Sequence, residues 1–168
     1  MLWTIRHLLS ILLLPFMVAV VVPRWLVGAY GTGAWGGTPI IDAVSKAMGA
    51  AVFALGFALF AWCVLLFARV GRGTLAPWDP TRRLVAVGPY RHVRNPMISG
   101  VLLMLVGEAL LWRSGVLALW AGAFLLINHT YFLLSEEPGL ERRFGESYRV
   151  YRARVPRWIP RPTPWREE

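Results

Sequence analysis

The sequence predicts an all-α integral membrane protein with about four transmembrane helices. A cytoplasmic loop and a C-terminal amphipathic helix are expected to form its site. Composition, four apolar runs and a lopsided distribution of arginine predict this class. Hydrophobic residues make up 57% of 168 positions and the mean hydropathy is +0.51. A soluble domain of this size cannot hide that much apolar surface, so lipid is the expected solvent. The 9 tryptophans suit indole rings at a membrane interface. The formal charge of +9 raises the question of nucleic acid. Here, however, the basic residues flank apolar runs and build no soluble basic domain. Anionic lipid heads are the expected partner, and no nucleic acid is expected. The lone cysteine, Cys63, lies within an apolar run. It excludes an intrachain disulfide and reads as a buried, inert thiol.

The first run, Leu8 to Val27, contains Pro15, Pro23 and Arg24. It is long for a signal peptide and no small-x-small site follows it, so it reads as an uncleaved anchor. The second, Val44 to Ala68, carries Ala50, Ala54 and Ala58 at four-residue intervals. That stripe predicts close approach of another helix. Met97 to Trp112 and Gly115 to Leu134 follow, separated by Arg113 and Ser114. The separation allows only a tight hairpin. Residues 1–70 thus form an N-terminal transmembrane hairpin, and residues 71–168 the core that carries chemistry, in one domain overall. Glu108 is expected to pair with Arg113 at the outer interface.

Basic residues orient the spans. Six arginines fall between Arg69 and Asn95, eight more follow Leu134, and none lies between Gly28 and Ala43. Positive charge stays inside. Both termini and the 69–95 loop are therefore expected in the cytoplasm, in a multi-pass protein whose site faces that side. After the last run, Leu140, Phe144, Tyr148, Tyr151 and Val155 recur at helical spacing. Pro138 suits the first turn of this tail helix, with Glu136 and Glu137 at its positive end. Such a helix either lies on the membrane surface or closes over a site. Pro156, Pro160, Pro162 and Pro164 end regular structure.

Gly31-Thr-Gly-Ala-Trp-Gly36 matches a dinucleotide fingerprint, but it follows a membrane span rather than a strand. It reads as a connector. No cysteine cluster or paired-histidine motif suggests a metal. Chemistry concentrates elsewhere. The turn-rich stretch Gly71 to Pro80 leads into Gly88-Pro-Tyr-Arg-His-Val-Arg-Asn-Pro96. There Gly88-Pro89 and Asn95-Pro96 are turn signals, and Tyr90, Arg91, His92 and Arg94 are dense in donors. Irregular backbone beside a membrane is tolerated where its polar groups are satisfied or line a cavity. A second group holds Asn128, His129, Glu136 and Glu137. His129 and Glu136 are two helical turns apart, about 10 Å along one face. A histidine inside a span is a functional candidate, the bland alternative being a hydrogen bond between helices.

Together the two groups resemble the isoprenylcysteine carboxyl methyltransferases and the related membrane phospholipid methyltransferases. The carrying residues are Gly88 to Pro96, then Glu136-Glu-Pro-Gly-Leu-Glu-Arg-Arg-Phe-Gly-Glu-Ser-Tyr148, Tyr151 and Val155-Pro-Arg-Trp-Ile-Pro160. The resemblance covers roughly residues 71 to 160 and departs at two positions. Asn95 stands where many members have histidine, and Ile98 where many have tyrosine. Asparagine does not titrate, so residue 95 is no base.

The resemblance implies S-adenosylmethionine as methyl donor, bound by Gly88, Pro89, Tyr90, Arg91, Asn95, Pro96, Asn128, Glu136 and Glu137. A lipophilic small molecule or lipid would reach the site from the bilayer. Glu136 or Glu137 suits the cofactor's ammonium and Arg91 or Arg94 its carboxylate. Arg94, His92 and His129 are the catalytic candidates. A carboxylate acceptor needs only an arginine to orient it. An amine or thiol acceptor needs a base, His92 or His129. Prenylated cysteine, phospholipid amine, small thiol and lipophilic carboxylate remain open as acceptors. A nicotinamide-dependent reductase of the sterol type and a non-catalytic binding protein are the competing classes.

Overall fold

The computed structural model of the chain describes residues 12–32, 37–71 and 84–166. The fingerprint-like residues 33–36, most of the 71–80 stretch and the first residues of the Leu8–Val27 run lie outside the described residues. Six α-helices are described: α1 (Val22–Tyr30), α2 (Pro39–Leu66), α3 (Pro96–Leu111), α4 (Gly115–Tyr131), α5 (Glu137–Phe144) and α6 (Glu146–Arg154). Among the described residues there is no strand. Among the described residues, two stretches are long and apolar enough to cross a membrane: Pro39–Leu66 and Gly115–Phe144. Only 22% of each apolar window is buried within the protein. Leu55, Phe57, Leu119 and Leu126 stand outward at 55–76% exposure. Side chains of that kind require an apolar solvent, and the protein is membrane-associated. Pro96–Leu111 and Pro15–Tyr30 are shorter apolar helices.

The chain divides into two compact units, each discontinuous in sequence. One comprises residues up to Ala58 and Gly100–Leu126; the other comprises Leu59–Ser99 and Ile127–Glu168.

In the first unit, glycine sets how closely α2 and α3 approach. A Cβ on Gly49 would lie 2.7 Å from the Leu111 amide nitrogen and 2.8 Å from the Gly107 carbonyl oxygen. One on Gly56 would lie 2.6 Å from the Gly100 carbonyl oxygen, and one on Gly107 2.6 Å from the Phe53 nitrogen. The helices thus touch backbone to backbone, as small residues permit in lipid. The Ala50, Ala54 and Ala58 stripe expected to do this is exposed. Gly49 and Gly56 lie seven residues apart on a different face, and they remove even the Cβ that alanine keeps. Ser45 Oγ donates to the Leu110 carbonyl at 2.9 Å, adding a polar tie between the same helices.

The α3–α4 turn is as tight as the sequence suggests. Arg113 takes φ +49°. Ser114, fully buried, caps α4 by accepting from the Leu117 amide at 3.4 Å. Arg113 Nη1 lies 3.5 Å from Asp42, which also holds Lys46 at 2.8 Å. The expected pairing of Arg113 with Glu108 therefore gives way to one with Asp42, and the charge acting on Glu108 is that of Arg24. Before α1, Leu12–Val21 is π-helical with Pro15 inside. Pro23 supplies no amide to the preceding turn. The Val18 carbonyl is satisfied instead by the Trp120 indole, 3.1 Å away.

In the second unit, α4 does not stop before the tail. A π-helical turn, Phe132–Glu136, joins it to α5, giving one helix from Gly115 to Phe144. Pro138 does fall in the first turn of α5, as the sequence suggests, but this segment continues α4 rather than starting a separate helix. Proline lacks an amide and crowds the carbonyl four residues back, and a wider π turn immediately before it absorbs both problems. The true break is Gly145, at φ +54°. Beyond it, Tyr148, Tyr151, Val155 and Trp165 form a buried cluster, with Leu84, Ala86, Leu140 and Phe144 packed against it. The apolar face of the tail is therefore spent on the protein's own core.

Substituting Gly107 by valine drives a branched side chain into the α2 backbone. Overpacking of this kind costs about 1–3 kcal/mol. The Gly107→Val protein should melt several degrees below wild type in detergent, whereas Ala54→Val, on the exposed stripe, should melt as wild type. Equal melting of the two variants would show that the glycines do not set the contact.

Candidate functional site

The site belongs to the second unit and begins at Gly88. Its φ of +56° favours glycine, and a Cβ there would lie 2.9 Å from Leu66 Cδ1. Gly88–Arg91 then makes a single 3₁₀ turn with Pro89 in its first positions. Pro89 and Tyr90 are buried. The Tyr90 ring packs with Cys63 and Val85, and its centroid lies 5.6 Å from that of Phe67. These residues anchor the loop to the end of α2. At the other end the Asn95 carbonyl accepts from both the amide and the hydroxyl of Ser99, each at 3.0 Å. Pro96 opens α3, where its missing amide costs nothing.

The backbone of this loop is held by the C-terminal tail. Trp165 N–H donates to the Arg91 carbonyl at 2.9 Å and Arg161 N–H to the His92 carbonyl at 3.0 Å. The Tyr151 hydroxyl donates to the Tyr90 carbonyl at 2.6 Å. In return Arg94 N–H donates to the Pro156 carbonyl at 2.9 Å. Prolines 156, 160, 162 and 164 offer no amides, so the tail presents few donors, and those of Arg161 and Trp165 meet the loop.

Glu137 is the electrostatic centre. It is 7% exposed. Its Oε1 accepts from Arg94 Nη1 at 2.8 Å and from Arg157 Nε at 2.7 Å. The Arg94 cation also acts on the Tyr148 hydroxyl. A buried carboxylate stripped of either cation would be costly, by about 3–5 kcal/mol for a broken buried pair. Glu136 is acted on by Glu137 and by the Arg143 cation and in turn acts on Tyr90 and Tyr148, so it belongs to the same cluster. Two donors in this loop, Arg91 Nε and Arg94 Nε, are buried without a hydrogen-bond partner among the described residues.

Burial is the main cause that pushes the Tyr90, Tyr148 and Tyr151 phenols above their usual range. Cys63 adds to it at Tyr90, and Glu137 adds to it at Tyr148 against the opposing pull of Arg94. These hydroxyls are neutral donors, not bases. The histidines are also committed. His92 Nδ1 meets the Arg161 carbonyl at 2.8 Å, so that nitrogen carries a proton. The Trp158 indole donates to His129 Nδ1 at 3.0 Å. That contact occupies the lone pair and puts the remaining ring proton on Nε2.

Gly88, Pro89, Tyr90, Arg91, His92, Arg94, Asn95 and Pro96 thus share one loop. Asn128, His129, Glu136 and Glu137 lie along the continuous helix that begins at Gly115. Direct contact joins Arg94 to Glu137. His92 contacts Arg161 and His129 contacts Trp158, and Asn128 is engaged within the protein. Arg157, Trp158, Arg161 and Trp165 were not named as site residues, although Arg157 and Trp158 stand in the Val155–Pro160 stretch that carries the resemblance. For Arg161 and Trp165 the only signal is compositional: a cation and an indole set between prolines in the last part of the chain.

A family model described as phospholipid methyltransferase matches residues 44–147. The chain is 37% identical over 60 residues to an uncharacterized protein of Haemophilus influenzae, a stretch covering 34% of this chain and 94% of that protein. No solved structure matches the chain.

The buried phenols make the second unit sensitive to alkali. Their folded-state ionisation is raised, so their contribution to stability is complete below about pH 10 and is lost as pH rises past that value. The melting temperature in detergent should therefore drop above about pH 10, and Tyr148→Phe should flatten the drop. A wild-type curve that stays level to pH 11 would contradict burial of these hydroxyls.

Proposed function

Because the chain belongs to the phospholipid methyltransferase family, we propose that it transfers a methyl group from S-adenosylmethionine to a lipophilic acceptor delivered by the bilayer. The family is one of membrane methyltransferases, related to the isoprenylcysteine carboxyl methyltransferases. The observation that carries the cofactor assignment is the pair of buried, unpartnered guanidinium nitrogens in the loop, Arg91 Nε and Arg94 Nε, the latter in the cluster that holds Glu136. A buried donor left without a partner costs about 1–3 kcal/mol, which an arriving anion would recover.

The residues present fit the cofactor's charged end. Arg91 and Arg94 would receive its carboxylate, and Glu136 its ammonium. Glu137, already shared by Arg94 and Arg157, fixes the Arg94 fork rather than binding ligand itself. S-adenosylmethionine supplies a methyl group on a sulfonium, open to in-line displacement. The chain's contribution is then to hold donor and acceptor in line. His92 is the base of this site. Its Nδ1–H is fixed on the Arg161 carbonyl, so in the neutral ring the Nε2 lone pair is available to take a proton from an ammonium acceptor. His129 is assigned a structural role, since its Nδ1 lone pair is spent on Trp158. This assignment favours a phospholipid amine as acceptor. A prenylated-cysteine carboxylate is the second reading. The same unpartnered arginine donors favour it, because one of them would orient that carboxylate without any base.

We further propose four spans, with both termini and the site on the cytoplasmic side, following the distribution of arginine. A reporter fused after Glu168 should be active only in its cytoplasmic form; an outward-facing terminus would overturn this topology.

Calorimetry in detergent should register S-adenosylmethionine or its demethylated product, and no reduced nicotinamide cofactor. The reverse result would support a reductase. Glu136→Gln should weaken cofactor binding about ten- to a hundredfold, the worth of a charge-assisted contact of roughly 1.5–3 kcal/mol. Arg94→Lys should also lose activity, because lysine does not reproduce the fork. His92→Gln separates the acceptors: transfer to an amine should fall at least tenfold, whereas transfer to a carboxylate should persist.

A further inference from the structure

In the second unit, α6 and the C-terminal tail bound a cavity of about 720 Å³ whose walls include Glu146, Val150, Arg154, Arg161, Trp165 and Arg166. This volume falls within the range of small-molecule pockets. Glu146, Val150 and Arg154 recur at four-residue steps along one face of α6, beside the face that buries Tyr148 and Tyr151. Arg161 Nη1 donates to the Arg154 carbonyl at 3.0 Å and Nη2 to Thr163 Oγ1 at 3.3 Å. The first of these places a cation at the C-terminal end of α6, where it is favoured. Among the described residues, neither Arg154 nor Arg166 makes an ion pair. By contrast, Arg149 and Arg152 on the same helix are held by Glu141, and Arg157 in the tail by Glu137. Glu146, the acid of the wall, pairs with Arg149 at 3.2 Å and is 75% exposed. The cavity therefore keeps a net positive charge and opens to water.

We propose that this cavity binds a soluble compound bearing a diphosphate. One phosphate rests on Arg154 and Arg161 and the other on Arg166, with Val150 and Pro164 against the rest of the ligand. Guanidinium forks match phosphate oxygens in both geometry and charge. A metal cation is repelled by the same groups. A single carboxylate engages one fork and leaves the others. A nucleic-acid strand needs a basic track, and the arginines of α6 outside the cavity are already spent on glutamates. A lipid phosphate would have to arrive through a charged, water-facing wall. Two residues of the wall also hold the loop. Arg161 N–H donates to the His92 carbonyl and Trp165 N–H to the Arg91 carbonyl. A ligand that binds only the folded tail shifts the equilibrium toward that clamp.

The cations that hold this ligand are not those assigned to the methyl donor, and the test reads binding alone. Calorimetry of the full chain in detergent and metal-free buffer uses pyrophosphate as the probe. Binding should saturate and be about tenfold tighter than that of orthophosphate, which reaches fewer forks. Arg154→Gln and Arg166→Gln should each weaken it about fivefold, as for solvent-facing charge pairs. Arg152→Gln removes the same charge outside the cavity and should leave binding unchanged. Pyrophosphate should also slow hydrogen exchange at the Arg161 and Trp165 amides. Wild-type binding no tighter for pyrophosphate than for orthophosphate would overturn the proposal, and that comparison needs no variant to fold. Equal weakening by Arg152→Gln and Arg154→Gln would overturn it by reducing the binding to the overall charge of the chain. Displacement of pyrophosphate by phosphatidic acid in nanodiscs would overturn it by assigning the cavity to a lipid headgroup. Unchanged exchange at full occupancy would overturn the stabilisation of the clamp.

Discussion

The second unit depends on one carboxylate oxygen. Glu137 Oε1 receives Arg94 from the loop before α3 and Arg157 from the C-terminal tail, at 2.8 and 2.7 Å. Three segments far apart in sequence converge on that atom. Burying a carboxylate is favourable only if its charge is compensated and its lone pairs are used. Here the compensation comes from both sides, so neither the loop nor the tail can leave without exposing a charge to a poor solvent. The neutral phenol of Tyr148, on which the Arg94 cation also acts, completes the surroundings.

Around this point the backbone pairing follows a simple economy. The tail carries prolines where amides would go unused, and presents N–H groups at Arg161 and Trp165, where the loop offers carbonyls. The two histidines are fixed in opposite senses by partners of fixed chemistry. A carbonyl can only accept, so His92 Nδ1 donates; an indole can only donate, so His129 Nδ1 accepts. The same logic explains the unpartnered arginine nitrogens. Arg94 spends Nη1 on Glu137, and the geometry that achieves this leaves Nε buried and without a partner. Native structures rarely leave buried donors unpaired.

The first unit obeys a different constraint. In lipid there is little hydrophobic gain in bringing helices together, so contact relies on close packing and the polar ties it permits. Gly49, Gly56, Gly100 and Gly107 bring two backbones into touch, and Ser45 bonds across the gap. Proline, which costs a soluble helix dearly, is accommodated twice. The Trp120 indole satisfies the Val18 carbonyl before Pro23, and a π turn precedes Pro138.

Sequence alone determined what depends on local chemistry. Apolar length marked α2 and α4, Arg113-Ser114 marked the hairpin between α3 and α4, and Gly88-Pro89 marked a turn. The donor-rich loop and the paired glutamates stood out as complementary groups for the same reason: residue type and spacing are local properties. Tertiary structure decided everything that depends on rotational phase. Glu136 and Glu137 are neighbours whose side chains leave a helix about 100° apart. Which of them meets Arg94 is set by how the helix is packed, and no residue type records it. Likewise, Ala50 and Gly49 differ by one position, yet the first is exposed and the second touches α3. Continuity through Pro138 was also undecidable locally, because the widened turn that permits it leaves no signature in residue type. The role of Trp165 arises from a tail that folds back across more than 60 residues of intervening chain to the loop, and that of Arg157 from the same tail returning to Glu137. Only the folded backbone brings those partners together.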